Sequence, residues 1–230
     1  MSQSVMGFDI KKPAVQQGNE IEQRSLSLIA EECKEYPDYH RFGDQEKEVV
    51  KRLIHATTHF QDVISNIFFT DKAIETIKSL LCVSANIIVD TNMIKSGLSP
   101  IYTDKYKNKV ICYTSEERVK DKAKENGTTR TFAAAQLALS DCYNQPTVLV
   151  CGNAPTFLYS LVESLLTENW DLSKVAVIAF PVGFVNVEES KVYTKSFLEH
   201  FNVEGIILEG RYGASTMAVS CLHAIYKLIK

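Results

Sequence analysis

The sequence predicts an α/β fold: a three-layer sandwich with a mostly parallel sheet and with helices preceding the first strand. Two observations carry this. Five short runs are rich in Val and Ile and apolar nearly throughout, the pattern of strands buried on both faces: ANIIVD (85–90), KVICYT (109–114), TVLVCG (147–152), KVAVIAF (174–180) and GIILEG (205–210). Before and between them, apolar residues recur at helical spacing. Strand and helix patterns in alternation imply parallel strands joined by helical crossovers.

Taken in order, residues 1–17 are polar and read as a flexible N-terminal arm, ahead of a single α/β domain over 18–230. IEQRSLSLIAEEC (21–33), DQEKEVVKRLIHATTHF (44–60) and DKAIETIKSLL (71–81) have helical periodicity and come before the first strand. SEERVKDKAKEN (115–126), TRTFAAAQLALSDCY (129–143), TFLYSLVESLLTEN (156–169), EESKVYTKSFLEHF (188–201) and STMAVSCLHAIYKLIK (215–230) supply the later helices. Strand order is not readable from this pattern.

The bulk numbers exclude several classes. A chain of 230 residues with 45% hydrophobic and 23% charged residues is globular in composition. A formal net charge of −3 argues against a general nucleic-acid or polybasic membrane binder. The six cysteines form no C-x-x-C pair, so they read as small buried hydrophobes in a reducing compartment rather than as a zinc or redox motif. No apolar leader and no run near ~18 apolar residues is present, so a cytoplasmic location is expected.

In an open parallel sheet, ligands bind beyond the carboxyl ends of the strands. Those ends carry DTNM (90–93), TSEE (114–117), GNAPT (152–156), PVGFV (181–185) and GRYGAST (210–216). Such loops can bring N–H groups and helix N-termini to an anion. At about 100° per residue, Arg52, His55 and His59 share one side of a helix whose buried stripe is Val49, Val50, Leu53 and Ile54. That side is either a solvated face or a site. The two histidines lack the glutamate and third ligand that a zinc helix requires, so no metal is expected.

In ENGTTRTFAAA (125–135), a glycine turn and a threonine cap open a helix, and Arg130 stands at its positive end as a candidate anion clamp. VLVCGNAPT has one glycine where a dinucleotide fingerprint needs three. Pro181 and Gly183 shape a turn that exposes Phe184. Arg211 sits between two glycines, with Ser215 or Thr216 as the next helix cap. No nucleophile elbow or phosphate loop of the Walker type appears. The residues alone point to an α/β enzyme that binds a small molecule bearing carboxylates or phosphates.

As a set, IEQRS, RLIHAT, NGTTRTFAAA, GNAPT, FPVGFVNVEESK and GRYGAST resemble, in order and spacing, the precorrin-8X methylmutase family, from about Ile21 to the C-terminus. GNAPT and PVGFV…ESK as a pair are the specific part. The resemblance implies an isomerase that moves a methyl group from carbon 11 to carbon 12 of a precorrin-8 tetrapyrrole in vitamin B12 biosynthesis. It also implies a homodimer with a parallel α/β fold and no added cofactor, any cobalt belonging to the substrate.

By the same resemblance His55 is the catalytic proton donor or acceptor, and Ser25 and Arg52 are substrate contacts. Arg130, Thr131, Asn153, Thr156, Gly183 and Arg211 are further substrate-binding positions. A polycarboxylate ring needs cations around its rim and apolar walls for its faces, which Phe157, Phe184 and Tyr212 could supply. The alternatives are a non-catalytic tetrapyrrole-binding protein on the same fold and an unrelated α/β transferase or nucleotide-dependent oxidoreductase.

Overall fold

The computed structural model describes residues 18–229; the arm expected over 1–17 lies outside the described residues. Helices α1 (Gly18–Cys33), α2 (Asp44–Thr57) and α3 (Phe60–Asn66) lead into strand β1 (Ile67–Phe69) and helix α4 (Ala73–Cys82). Strand β2 (Asn86–Val89) is followed by two short helices, α5 (Asn92–Gly97) and α6 (Pro100–Thr103), and then by β3 (Lys109–Ile111). Helices α7 (Glu117–Glu125) and α8 (Arg130–Asp141) precede β4 (Thr147–Cys151). The chain continues through α9 (Pro155–Thr167), β5 (Val175–Ala179), α10 (Val187–Phe201), β6 (Glu204–Leu208) and α11 (Ser215–Leu228).

The sheet has six strands in the order β1-β6-β5-β4-β2-β3. The five predicted strands are all present and mutually parallel. The sixth, β1, falls in a stretch that the sequence pattern leaves unassigned. It runs antiparallel to β6, with Ile67 opposite Leu208 and Phe69 opposite Ile206. Glu204 secures that edge: its carboxylate accepts from the Thr70 hydroxyl and from Lys72 N at 2.9 Å, while Gly205 N donates to Thr70 Oγ1 at 2.9 Å.

Period-2 alternation divides the strand residues between two cores. Ile87, Val89, Val148, Val150, Ala176, Ile178, Ile206 and Leu208 pack with residues of α2, α4 and α11 on one face. Ile88, Leu149, Cys151, Val177, Ala179 and Ile207 pack with residues of α8, α9 and α10 on the other. The three-layer arrangement is the direct result. Five of the six cysteines are buried, as expected, but Cys82 is exposed because it closes α4 on the side turned away from the sheet.

The helix read over 44–60 is two helices. Thr58 adopts a left-handed conformation (φ 61°, ψ 10°), its N–H closes on Ile54 O at 2.7 Å, and the chain restarts at Phe60. His59 therefore lies beyond α2, so it does not share that helix's face with Arg52 and His55. It leads α3 instead, with Nδ1 3.0 Å from Asp62.

Where α10 crosses β6, Gly205 leaves no room for a side chain: a Cβ there would stand 2.7 Å from Leu198 Cδ1 and 2.8 Å from Val177 O. Gly205→Ala is therefore expected to lower the unfolding free energy by about 1–3 kcal/mol, the usual range for overpacking. Urea unfolding should show a lower midpoint with an unchanged slope.

Candidate active site at the carboxyl ends of the strands

The loops after β2, β4, β5 and β6 form one hydrogen-bonded rim. Asp90, at the end of β2, is 1% exposed. Its carboxylate accepts from three consecutive amides of the loop after β4: Gly152 N at 3.0 Å, Asn153 N at 2.8 Å and Ala154 N at 2.8 Å. Burial pushes the carboxyl pKa up, and these three donors oppose that shift. The N–H-rich GNAPT loop thus does face an anion, but the anion is the protein's own Asp90. Its amides are already engaged and cannot also cradle a ligand carboxylate.

The remaining loops lock onto this one. Val182 N donates to Asn153 O and Gly183 N to Arg211 O, each at 3.4 Å. Gly213 is pressed so closely on the end of β5 that a Cβ there would lie 2.3 Å from Phe180 O. Ser215 is buried at the first residue of α11, with its hydroxyl 3.0 Å from Thr91 Oγ1; Ala214, not Ser215 or Thr216, takes the cap position.

The predicted residues fall into three groups, the first where α1, α2 and α11 meet and the other two on this rim. In the first, Ser25 on α1 and His55 on α2 meet, with Ser25 Oγ 2.9 Å from His55 Nδ1. One turn earlier on α2, Arg52 is ion-paired with Glu22 of α1, which also accepts from Lys227 of α11 at 2.9 Å. These two cations hold the Glu22 carboxyl at about 2, well below its ordinary value. His55 is exposed, and its Nε2 has no hydrogen-bond partner among the described residues.

In the second group, Thr131 and Thr156 share a hydrogen bond of 2.7 Å, and Thr129 stands 3.1–3.2 Å from both. Thr129 is also the predicted cap of α8, accepting from Phe132 N at 3.2 Å. Arg130 follows it, exposed at the first residue of the helix. Asn153, three residues before Thr156, is exposed, with its backbone held by Asp90.

In the third group, Gly183 (φ 140°) turns the chain so that Phe184 is 84% exposed. The Arg211 guanidinium lies 5.8 Å from that ring and 3.0 Å from a Glu188 carboxylate oxygen. Tyr212 stacks on His59 (5.1 Å between centroids, 9° between planes), which ties this group to the end of α2.

Phe157, expected as a wall, is instead 1% exposed and belongs to the core between the sheet and α9, because it sits on the inward stripe of that helix. Glu22, Asp90 and Lys191 stand in the sequence only inside longer stretches and received no role from it; their partners lie 30, 62–64 and 19–21 residues away. A cavity of about 340 Å³ lined by Asp44, Glu46, Asp71 and Glu75 among others lies at the opposite end of the sheet, beside the loop after β1. Its acidic walls do not suit an anionic ligand.

The comparisons with known proteins agree with this frame. The model of the precorrin-8X methylmutase family matches residues 20–228. The chain belongs to the precorrin-8X methylmutase family.

Members of the family are isomerases of cobalamin biosynthesis, and that role, expected from the motifs, holds for this chain. It is 36% identical to the cobalt-precorrin-8 methylmutase of Leptospira interrogans, covering 92% of this chain and 94% of that one. It is 31% identical to the enzyme of the same name from Salmonella typhimurium, over 92% and 95%. The solved precorrin-8x methyl mutase of Thermus thermophilus superposes with a TM-score of 0.79 at 34% identity, over 92% and 96%. Among the described residues, no helix is long and apolar enough to cross a membrane, and no cluster of His, Cys, Asp and Glu could hold a metal.

The Glu22 pairings carry a pH signature. A carboxyl whose pKa falls from 4.5 to about 2 on folding contributes stability that is complete above 4.5 and lost as the pH drops through about 2. The stability advantage of wild type over Glu22→Gln should therefore shrink steadily between pH 4.5 and 2. Urea unfolding of both proteins at fixed pH values measures it.

Proposed function

We propose that this methylmutase uses His55 as the acid–base group that drives a methyl shift from carbon 11 to carbon 12 of a precorrin-8 ring lying across the rim. The observation that carries this is the Ser25–His55 pair. A serine hydroxyl can donate to Nδ1 or accept from it, so it holds the imidazole in either tautomer. Nε2 can then give up or take a proton without loss of the supporting bond, as a group that protonates and later releases a ring nitrogen requires. Protonation at the ring changes the electron demand of the π-system. Confinement against the rim supplies the remaining orientation.

The polar surroundings support a carboxylate-fringed substrate. Arg52 and Lys227 together exceed Glu22 by one positive charge, which leaves a cationic patch one turn from His55. Arg130 adds its charge to the positive end of α8, where an anion is favoured and a cation is not. Thr131, Thr156 and Asn153 offer neutral donors nearby, while Gly183 and Arg211 place an apolar ring beside a guanidinium. On this reading the chain needs no resident cofactor, any cobalt arriving with the substrate. Residues 18–230 act as one domain, and the enzyme works as a cytoplasmic homodimer.

His55→Ala should lower turnover by about a hundred- to ten-thousandfold, the usual span for one acid–base group. The absorbance shift of added cobyrinic or hydrogenobyrinic acid should persist; near-wild-type turnover in this variant would remove His55 from the chemistry. Arg130→Ala should weaken binding of the same ligands about tenfold, as expected for one charge-assisted contact, and make binding less sensitive to salt. Unchanged affinity would return Arg130 to the solvated surface.

A further inference from the structure

Lys191 stands apart from every other lysine among the described residues: it is 1% exposed, in the second turn of α10. Among the described residues its ammonium has no ion-pair partner. It donates to two backbone carbonyls of the loop after β6, Gly210 O at 2.7 Å and Tyr212 O at 2.8 Å. With both carbonyls turned inward, the intervening Arg211 is exposed, and its own carbonyl accepts from Gly183 N. The Tyr212 ring meets His59 just beyond the helix that carries His55. One buried cation thus sets the course of the loop that presents Arg211 and joins the rim to α2.

We infer that Lys191 is a positioning residue of the methylmutase, holding the 210–212 loop in its working conformation through its charged form. Deprotonation leaves an amine that donates more weakly to both carbonyls, so the loop loosens and Arg211 and Tyr212 lose their fixed places. The groups facing Lys191 are few. Glu188 on its own helix is paired with Arg211, Glu209 at the end of β6 with Lys195, and Cys151 of β4 is a buried thiol. On the α9 side, Tyr159 and Glu163 engage Tyr193 rather than Lys191. Among the described residues no carboxylate binds the ammonium directly, and burial brings its pKa down to about 8. Protonation of the loop's anchor therefore changes within the range where enzymes are assayed.

This rests on the rim being the substrate site, and it is tested on wild-type enzyme first. The profile of kcat/KM between pH 6.5 and 9.5 should fall on the alkaline side with a midpoint near 8, without a matching fall in the thermal unfolding temperature. Binding of hydrogenobyrinic acid should weaken over the same range. Lys191→Met should lower kcat/KM at pH 7 at least tenfold and abolish the alkaline limb. Should that variant not fold, a carbon-13 label at the lysine ε-carbons reports the buried ammonium directly in wild type, and its titration must coincide with the limb.

A flat profile to pH 9.5, a limb that persists in Lys191→Met, or a Lys191 titration that does not coincide with the limb would overturn the inference. So would a limb that merely follows loss of fold. Failure of the His55 chemistry reads differently: His55→Ala would turn over normally while the limb still tracked Lys191.

Discussion

The rim of this protein depends on one buried anion. Asp90 places a carboxylate under three successive amides of the loop after β4, which the surrounding loops close over. Each of those amides would cost about 1–3 kcal/mol if left buried and unpaired. With Asp90 in place the loop is rigid, Asn153 O can receive Val182 N, and Gly152 can lie against the start of α11, where a Cβ would come within 2.7 Å of Ser215 Cα. Three of the strand-end loops take their geometry from that contact, directly or at one remove.

A second charge completes the frame with opposite sign. The Lys191 ammonium fixes carbonyls where the Asp90 carboxylate fixes amides, and both lie away from water. Arg130 and Arg211, by contrast, are exposed, and the Thr131 and Thr156 hydroxyls bond each other rather than the backbone of the rim. Burial separates the two kinds of polar group on the rim: those shut away from water bind the backbone, and the others stay at the surface.

The sheet and the major helices were legible because their signals are local. ANIIVD and its four counterparts are apolar on both faces, and Thr129 caps α8 as its place before an alanine-rich helix predicts. What escaped depends on distant or unusual contacts. Strand β1 is three residues long and takes its identity from β6, more than a hundred residues later in the chain. The break at Thr58 uses a residue type with little preference for the left-handed region, so nothing in ATTH announces it. Of the site, the Ser25–His55 contact and the Thr131–Thr156 contact join residues that the motifs had named. The Glu22 and Asp90 contacts span 30 and 62–64 residues, and although their members lie in the quoted stretches, nothing local pairs them. Phe157 was misplaced because an aromatic residue just inside a helix after a glycine loop reads equally as wall or core; only the packing of α9 decides.

The two outer strands, β1 and β3, are each three residues long. An edge that short offers too few free backbone groups to template a neighbour's strand, so the sheet is closed to growth by edge pairing. The antiparallel β1 also shields β6, whose Ile206, Ile207 and Leu208 would otherwise present an apolar edge. Any association between copies must accordingly be built from side chains of helices and loops. The same elements frame the candidate site, so the surface available for assembly and the surface proposed for chemistry are drawn from one set of residues.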